Sequence, residues 1–434
     1  MSPDFPRVHL RVRVEDVVYP GRALARREGK ALFTDEGLPG ELVEVEVLKE
    51  KAGHIEAATI DIVEPSSRRR LPRCEHYRAC SAYQVMEDDL QLEIKGRQLE
   101  GILGRRLGPA APAVEVRPSP MTWGYRNRVR FHLVGDPGSL SLAYNVPGSD
   151  RDYVALERCH LISDPMAALL AATLGLLNES RTAGIEDIEV REAGSGGEML
   201  LTLSGGKFEK DRLPPGLGPG LAKRFPLSGV IWLTRSGSGD RGTLIFGRDH
   251  VEDRAGGIVY RLGPRSFFQA NRFLLEDAVK TTRELVGSPG RGRVADLYCG
   301  VGTFGLALAG RVAAVEGVES DPANLGFLAL NIRANGVSNF LIRAGTAEDW
   351  IGKVLAARPD VVLMDPPRRG LGTRITNPLL ASPPPRILYL SCDPSTLVRD
   401  LVPLATRYDI RRAILFDFFP QTPHIETLCW LERR

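Results

Sequence analysis

The stretch RVADLYCGVGTFGLALAG, residues 293–310, decides the fold. Val294 to Tyr298 reads as a short buried strand. Gly300, Gly302 and Gly305 follow at once, and Leu306 to Ala309 have the composition of a packed helix. Strand, glycine-rich turn and helix make the opening unit of a doubly wound α/β fold, whose ligand sits at the carboxyl end of the strands. The glycines let the backbone approach a ligand with no Cβ in the way. A second strand over 312–318 runs into Glu319. That acid stands about twenty residues beyond the glycines, where such folds place the carboxylate that hydrogen-bonds ribose hydroxyls. Asp321 and Pro322 behind it have helix-start chemistry, so a solvated helix-start acid is the alternative reading of Glu319. The turn alone leaves a dinucleotide and S-adenosylmethionine open as its ligand.

Outward from this unit the pattern repeats. Candidate strands at 293–298, 312–318, 339–343, 360–364, 386–391 and 411–417 alternate with helical segments, which makes 257–434 a parallel-sheet domain. The strand Val361-Val362-Leu363-Met364 ends on Asp365, followed by Pro366 and Pro367. The prolines cannot continue the ladder, so Asp365 is presented at the carboxyl edge of the sheet. Ile387 to Ser391 repeats the design and ends on the Cys392 thiol, with an Asp393-Pro394 turn that can cap the next helix. Amide donors at that helix start would favour the thiolate; a small core residue is the alternative for Cys392. Glu426 is an acid on an otherwise apolar terminal strand. Burial would raise its pKa and make it a usable general base. His424 beside it either orients Glu426 or a phosphate, or is a core histidine.

A chain of 434 residues has room for two or three domains, and 43% hydrophobic with 26% charged residues is ordinary for a soluble globular protein. No apolar run approaches the roughly 18 residues that span a bilayer, and the first residues lack a signal-peptide core; the expected location is the cytoplasm. The net charge is +3, but arginines cluster at 68–70, 105–106, 126/128/130 and 368–369. Such patches fit a nucleic-acid binder, against the reading that arginine is simply abundant. Six cysteines in a cytoplasmic chain suggest chemistry or metal rather than disulfides. Residues 7–64 alternate at period two between turn signals, which predicts a small OB-like barrel of the kind that binds oligonucleotides, with Arg22, Arg26, Arg27 and Lys30 in its loops. Pro65 to Pro72 reads as a linker, 90–107 as a helix, and 213–220 as a loop. The segment Trp123 to Phe131 interleaves aromatics with cations, which suits base stacking and phosphate contact; a strand edge with solvated arginines is the alternative. These boundaries give domains 1–66, 67–256 and 257–434.

The set DLYCGVGTFGL, VEGVES, DPPRRGL, LSCDPSTLVRDL and PHIETLCWL, in this order, resembles the S-adenosylmethionine-dependent RNA uracil-5-methyltransferases. RSFFQAN at 265–271 is similar to that family's donor-binding segment, and the barrel resembles a TRAM domain. The implied fold is a multidomain α/β protein with an OB-like TRAM barrel, an α+β central domain and a Rossmann-like class I methyltransferase domain. The resemblance implies that Gln269, Tyr298, Gly300 and Glu319 hold S-adenosylmethionine and that Asp365 contacts the donor or the target base. It makes Cys392 the nucleophile and Glu426 the base. The chemistry needs those types: C5 of a pyrimidine takes a methyl group only after thiolate addition at C6 makes it enolate-like, and a base must then remove the C5 proton.

Some members hold a [4Fe–4S] cluster on a C-x5-C-x2-C run and a distant fourth cysteine. Here Cys74, Cys80 and Cys159 fit three places and Tyr83 stands at the third. Three readings stay open: a cluster completed by His76, His160 or an outside ligand, a zinc site, or cysteines that only pack. The expected partner is RNA, 23S ribosomal RNA before others because the barrel is fused, and the expected state is a monomer. Methylation of uridine in transfer RNA, methylation of cytosine C5, and a non-catalytic RNA-binding protein on a methyltransferase frame are the alternatives. The DPP motif carries no cysteine, which argues for uracil, whereas Asp393 stands where many uracil enzymes have Asn.

Overall fold

A computed structural model describes residues 8–146, 149, 151–194, 196–209, 212–235, 240–287, 290 and 292–434. Its contacts group Met1–Gly101 with Phe419–His424 as one unit, and Ile102–Phe418 with Ile425–Arg434 as a second.

In the first unit, β1 (His9–Val18), β2 (Arg22–Arg27), β3 (Lys30–Thr34), β4 (Leu42–Glu50) and β5 (His54–Glu64) close into a barrel in the order β1-β2-β3-β5-β4. Alternation decides the inside: Val12, Val14, Ala23, Ala25, Leu32, Val43, Val45, Ile55 and Ala57 form its core. Arg22, Arg26 and Arg27 are strand residues rather than loop residues. Arg26 pairs with Glu15, Arg27 with Glu28 and Lys30 with Glu50, so these cations are neutralised locally.

The stretch 65–72 is not a linker. Arg69 donates to both oxygens of Glu41, at 2.7 and 2.8 Å, and to Glu36 at 2.8 Å. Both acids are buried. Burial pushes the Glu41 carboxyl up, but the hydrogen bonds from Arg69, Ser66 and Leu38 outweigh it and hold the group below its ordinary value. Arg68 reaches Glu87, Asp89 and Glu93. The triple arginine thus bolts the barrel to the region of the next two helices in the chain, α1 (Tyr77–Cys80) and α2 (Asp88–Leu107). Gln421 completes this unit from far along the chain. Its amide N–H donates to Gln91 Oε1 (2.9 Å), its Oε1 accepts from Gln91 (3.0 Å) and Arg70 (3.0 Å), and its Nε2 donates to Asp88 (2.8 Å). Buried Lys95 donates to the carbonyl of Phe419 at 3.0 Å.

The second unit holds two large sheets. It begins with β6 (Val114–Arg117), β7 (Arg128–Val134), β8 (Ser141–Asn145) and β9 (Tyr153–Leu156), then α3 (Asp164–Glu179), β10 (Ile185–Glu192) and β11 (Met199–Gly205). A short helix α4 (Leu217–Ala222) takes up part of the expected loop, before β12 (Leu227–Thr234) and β13 (Arg241–Gly247). Seven of these strands form one sheet in the order β13-β12-β11-β10-β7-β8-β9. Tyr125 and Phe131 are core residues here and Arg128 is paired with Glu189, so the 123–131 segment serves packing more than base stacking. The hairpin β14 (Val251–Ala255) and β15 (Ile258–Leu262) leads to α5 (Arg272–Val286).

Then β16 (Arg293–Leu297), α6 (Gly305–Ala309), β17 (Ala314–Glu319), α7 (Pro322–Ala334), β18 (Phe340–Ala344), α8 (Ala347–Ala356), β19 (Val361–Met364), α9 (Thr373–Ala381), β20 (Arg386–Ser391), α10 (Pro394–Leu404), β21 (Tyr408–Phe416) and β22 (Glu426–Arg433) alternate as the sequence predicts. The sheet order is β18-β17-β16-β19-β20-β22-β21-β6, with β22 antiparallel to both its neighbours. Order reverses at β16, which makes its carboxyl end the switch point where doubly wound folds bind ligands. Strand β19 and residues 387–390 of β20 are apolar because both faces are covered. Strand β6, from the region expected to form the central domain, instead pairs in parallel with β21 along 114–117 and closes this sheet's edge.

Candidate active site

Register brings the sequence-predicted residues to one edge. Leu297 of β16 pairs with Met364 of β19, Met364 pairs with Tyr389 of β20, and Ser391 at the end of β20 pairs with Thr427 of β22. The residues one step beyond these partners are Tyr298, Asp365, Cys392 and Glu426. Because β22 runs antiparallel, its first residue meets the carboxyl ends of the others.

The glycine turn is shaped for a ligand. Tyr298 has φ 63° and Gly300 φ 57°, so the chain leaves β16 through two left-handed residues. A Cβ on Gly305 would stand 2.5 Å from Asp296 Oδ2, and the bare glycine lets its N–H donate to that oxygen at 3.0 Å. Glu319 accepts from the N–H of Gly300 (2.9 Å) and from those of Ser320 and Asp321 (2.7 Å each), which fixes its carboxylate across the turn. Asp321 itself caps α7 through Ala323 and Asn324, so the helix-start reading belongs to Asp321 and leaves Glu319 for the turn. The segment 265–271 runs beside the turn: Phe267 O lies 3.9 Å from where a Gly300 Cβ would be, and the Phe267 N–H donates to Asn324 at 3.4 Å. Asn127 donates to the Gln269 carbonyl at 3.0 Å, and buried Arg191 donates to that of Ser266 at 2.5 Å. Gln269 is itself buried, while Phe267 is 53% exposed and is the aromatic that this region offers to solvent.

Electrostatics at the edge run opposite to one expectation. Burial, then the nearby Glu426 and Asp365 carboxylates, push the Cys392 thiol up to about 12, and Arg368 offsets part of this. The amides at the start of α10 do not favour the thiolate, because Asp393 takes them: its Oδ1 accepts from Ser395 at 2.9 Å and Thr396 at 3.0 Å. Glu426 is held well above the ordinary carboxyl range by burial and by Asp365, with Arg368 opposing. Burial raises Asp365 to about 7. Asp296 is raised by burial and then by Asp365, against the Gly305 N–H. A group of acids and a thiol kept neutral in one place, with an arginine acting on two of them, is the pattern of acid–base chemistry.

The sequence reading missed Tyr389, Thr396, Arg399 and Asp400, which join the loop after Asp365 to α10. Asp400 carries a readable signal: it is an acid on the buried stripe of Leu397, Leu401 and Leu404. His424 packs edge-on to Phe419, ring centres 5.6 Å apart, within the first unit.

The three candidate metal cysteines divide between the units, Cys74 and Cys80 in the first and Cys159 in the second. Tyr83, at the third cluster place, is buried with Val17, Leu38, Met86 and Ile94 and hydrogen-bonds Gln98. A tyrosine committed to the core there does not fit a four-thiolate cluster. Among the described residues no group of three or more His, Cys, Asp or Glu side chains is arranged to hold a metal ion, and no helix is long and apolar enough to cross a membrane.

Residues 240–434 match the tRNA (Uracil-5-)-methyltransferase family. The chain is 30% identical to an uncharacterized RNA methyltransferase of Thermosynechococcus vestitus, over 97% of each chain. It is 29% identical to one of Nitratidesulfovibrio vulgaris, over 98% of this chain and 96% of that one. Its fold is that of the Pyrococcus abyssi tRNA (uracil-54, C5)-methyltransferase, solved in complex with S-adenosyl-L-homocysteine: TM-score 0.76, 24% identity, 97% of this chain and 100% of that one covered.

Proposed function

The chain belongs to the RNA methyltransferases, and from that premise we propose that it transfers a methyl group from S-adenosylmethionine to C5 of a uridine in RNA. The observation that carries this reading is the pairing of Ser391 with Thr427, which brings a thiol and a buried acid to adjacent strand ends beside Asp365. The donor's site fits: the buried Tyr298 hydroxyl has no hydrogen-bond partner among the described residues, and Gly300 opens onto space beside the Glu319 carboxylate. Gln269, Tyr298, Gly300, Glu319 and Asp365 would hold the donor, which supplies a methyl group made electrophilic by its sulfonium. Cys392 Sγ, once deprotonated, adds to C6 of the pyrimidine and makes C5 nucleophilic. After C5 has been methylated, Glu426 takes the C5 proton, and elimination restores the C5–C6 double bond and expels the thiolate. Glu426 must be ionised for that step, and the cation of Arg368 favours the ionised form. A stacked target base has to be turned out to reach Cys392.

We put 23S ribosomal RNA first as the substrate on the family resemblance, although the barrel itself does not separate it from transfer RNA, because the likeness to a transfer-RNA enzyme covers 97% of this chain. Transfer RNA is the second reading, because the archaeal enzyme that shares the fold over 97% of this chain acts on transfer RNA. Purified protein incubated with labelled donor and unmodified transcripts of each RNA, followed by nucleoside mass spectrometry, decides. Label in 5-methyluridine supports the reaction and names the RNA; label in 5-methylcytidine, or in no nucleoside, sinks it. Glu426→Gln protein should instead accumulate a covalent protein–RNA adduct that survives denaturing electrophoresis, and Cys392→Ala should form none.

A further inference from the structure

Four hydrogen bonds tie the loop after Asp365 to the helix that follows Cys392, and a fifth ties that helix to the strand before Cys392. The N–H of Leu371 donates to Asp400 Oδ2 at 2.7 Å, and that of Gly372 donates to Oδ1 at 3.3 Å. The Tyr389 hydroxyl, on the strand that ends at Cys392, donates to Oδ2 at 3.0 Å. Arg399 donates to the Arg369 carbonyl at 2.8 Å, and Thr396 Oγ1 to that of Arg368 at 3.1 Å. Asp400 is 2% exposed and also accepts from Arg399 Nε at 2.9 Å. The loop fits this carboxylate so closely that a Cβ on Gly370, which has φ 70°, would stand 2.5 Å from Oδ2.

We propose that Asp400 is a positioning residue: it locks the loop 368–372 onto β20 and α10, so that Arg368 is held at a fixed place beside Cys392 and Glu426. A carboxylate buried at this junction is costly unless every lone pair is used, and here two amides, a phenol and a guanidinium use them. A packing role would be filled by any apolar residue on the α10 stripe. What a carboxylate adds is directional hold on two backbone amides of the loop beyond the DPP motif. Arg368 is the cation that opposes the upward shift of both Cys392 and Glu426, so a loop free to move would leave both groups harder to ionise. This inference rests on Cys392 being the nucleophile.

The test is the rate at which iodoacetamide labels Cys392 in the full-length protein at pH 8.5, followed by peptide mass spectrometry, alongside kcat and KM. Asp400→Asn should slow labelling about three- to tenfold, as for an upward shift of about 0.5–1 pKa unit. It should lower kcat while leaving KM for the donor within about twofold, a transition-state rather than a binding loss. Thr396→Val, which removes one of the five bonds and keeps the shape of the side chain, should act in the same direction more weakly, and decides the matter if Asp400→Asn does not fold. In an Arg368→Gln background neither substitution should slow labelling further. Labelling unchanged in both single variants, or slowed equally with and without Arg368, overturns the proposal. Labelling is independent of RNA, so a wild-type protein that methylates no uridine would refute the proposed function and leave this comparison intact.

Discussion

At neutral pH the Cys392 thiol is protonated in the free protein, because burial and the carboxylates of Glu426 and Asp365 push it up to about 12. The sign has a direct consequence. For a thiol with a raised pKa the reactive fraction grows about tenfold for each pH unit until the pKa is reached. Labelling of Cys392 by iodoacetamide should therefore rise steadily from pH 7 to 10, and a plateau near pH 8 would mean that the free thiol is not raised. Single-turnover methyl transfer should rise over the same range. Glu426 adds to the slope, since it too must lose a proton to act as base and burial holds that proton on. The other edge thiol, Cys299, is 6% exposed and raised well above its ordinary value by burial, then by Asp296 and Glu319. It should stay unlabelled throughout, which makes it an internal control.

The helix that follows Cys392 begins with a residue that sets its direction. Asp393 caps α10 through Ser395 and Thr396. Asp393→Ala should cost about 1 kcal/mol of stability, while Asp393→Asn, which can still accept both amides, should cost less than about 0.5 kcal/mol; chemical denaturation of the three proteins checks both. Much of this architecture is legible in the sequence, for a physical reason. Strands β19 and β20 are covered on both faces, so Val361–Met364 and Ile387–Leu390 read as unbroken apolar runs, and the polar residues that follow mark the sheet edge. Asp365, Cys392 and Glu426 stand out for that reason. What sequence conceals is partnership at a distance. Nothing local in Val114–Arg117 says that it will pair with β21, three hundred residues on. The arginines at 68–70 look like a solvated patch until Glu36, Glu41, Asp88 and Glu93 are seen around them. Tyr125 and Phe131 have the spacing of a stacking platform, and only tertiary packing shows that they are core.

At the scale of the whole molecule, the loop 419–424 belongs with the N-terminal unit although Phe418 before it and Ile425 after it belong to the other. Its anchor is a pair of glutamines. Gln91 and Gln421 exchange two hydrogen bonds and are 2% and 0% exposed, so losing either leaves polar groups buried and unmatched. Each of Gln91→Ala and Gln421→Ala should destabilise by about 1–3 kcal/mol. Together they should destabilise by less than their sum, with a coupling of about 1 kcal/mol in a double-mutant cycle; strict additivity would show that the pair does not act as one latch. The same loop imposes an order on biosynthesis. A ribosome makes residues 1–101 some three hundred residues before it makes 419–424. Until then Gln91, Asp88, Arg70 and Lys95 lack the hydrogen bonds that this loop supplies, and the barrel unit waits for its last piece to be translated.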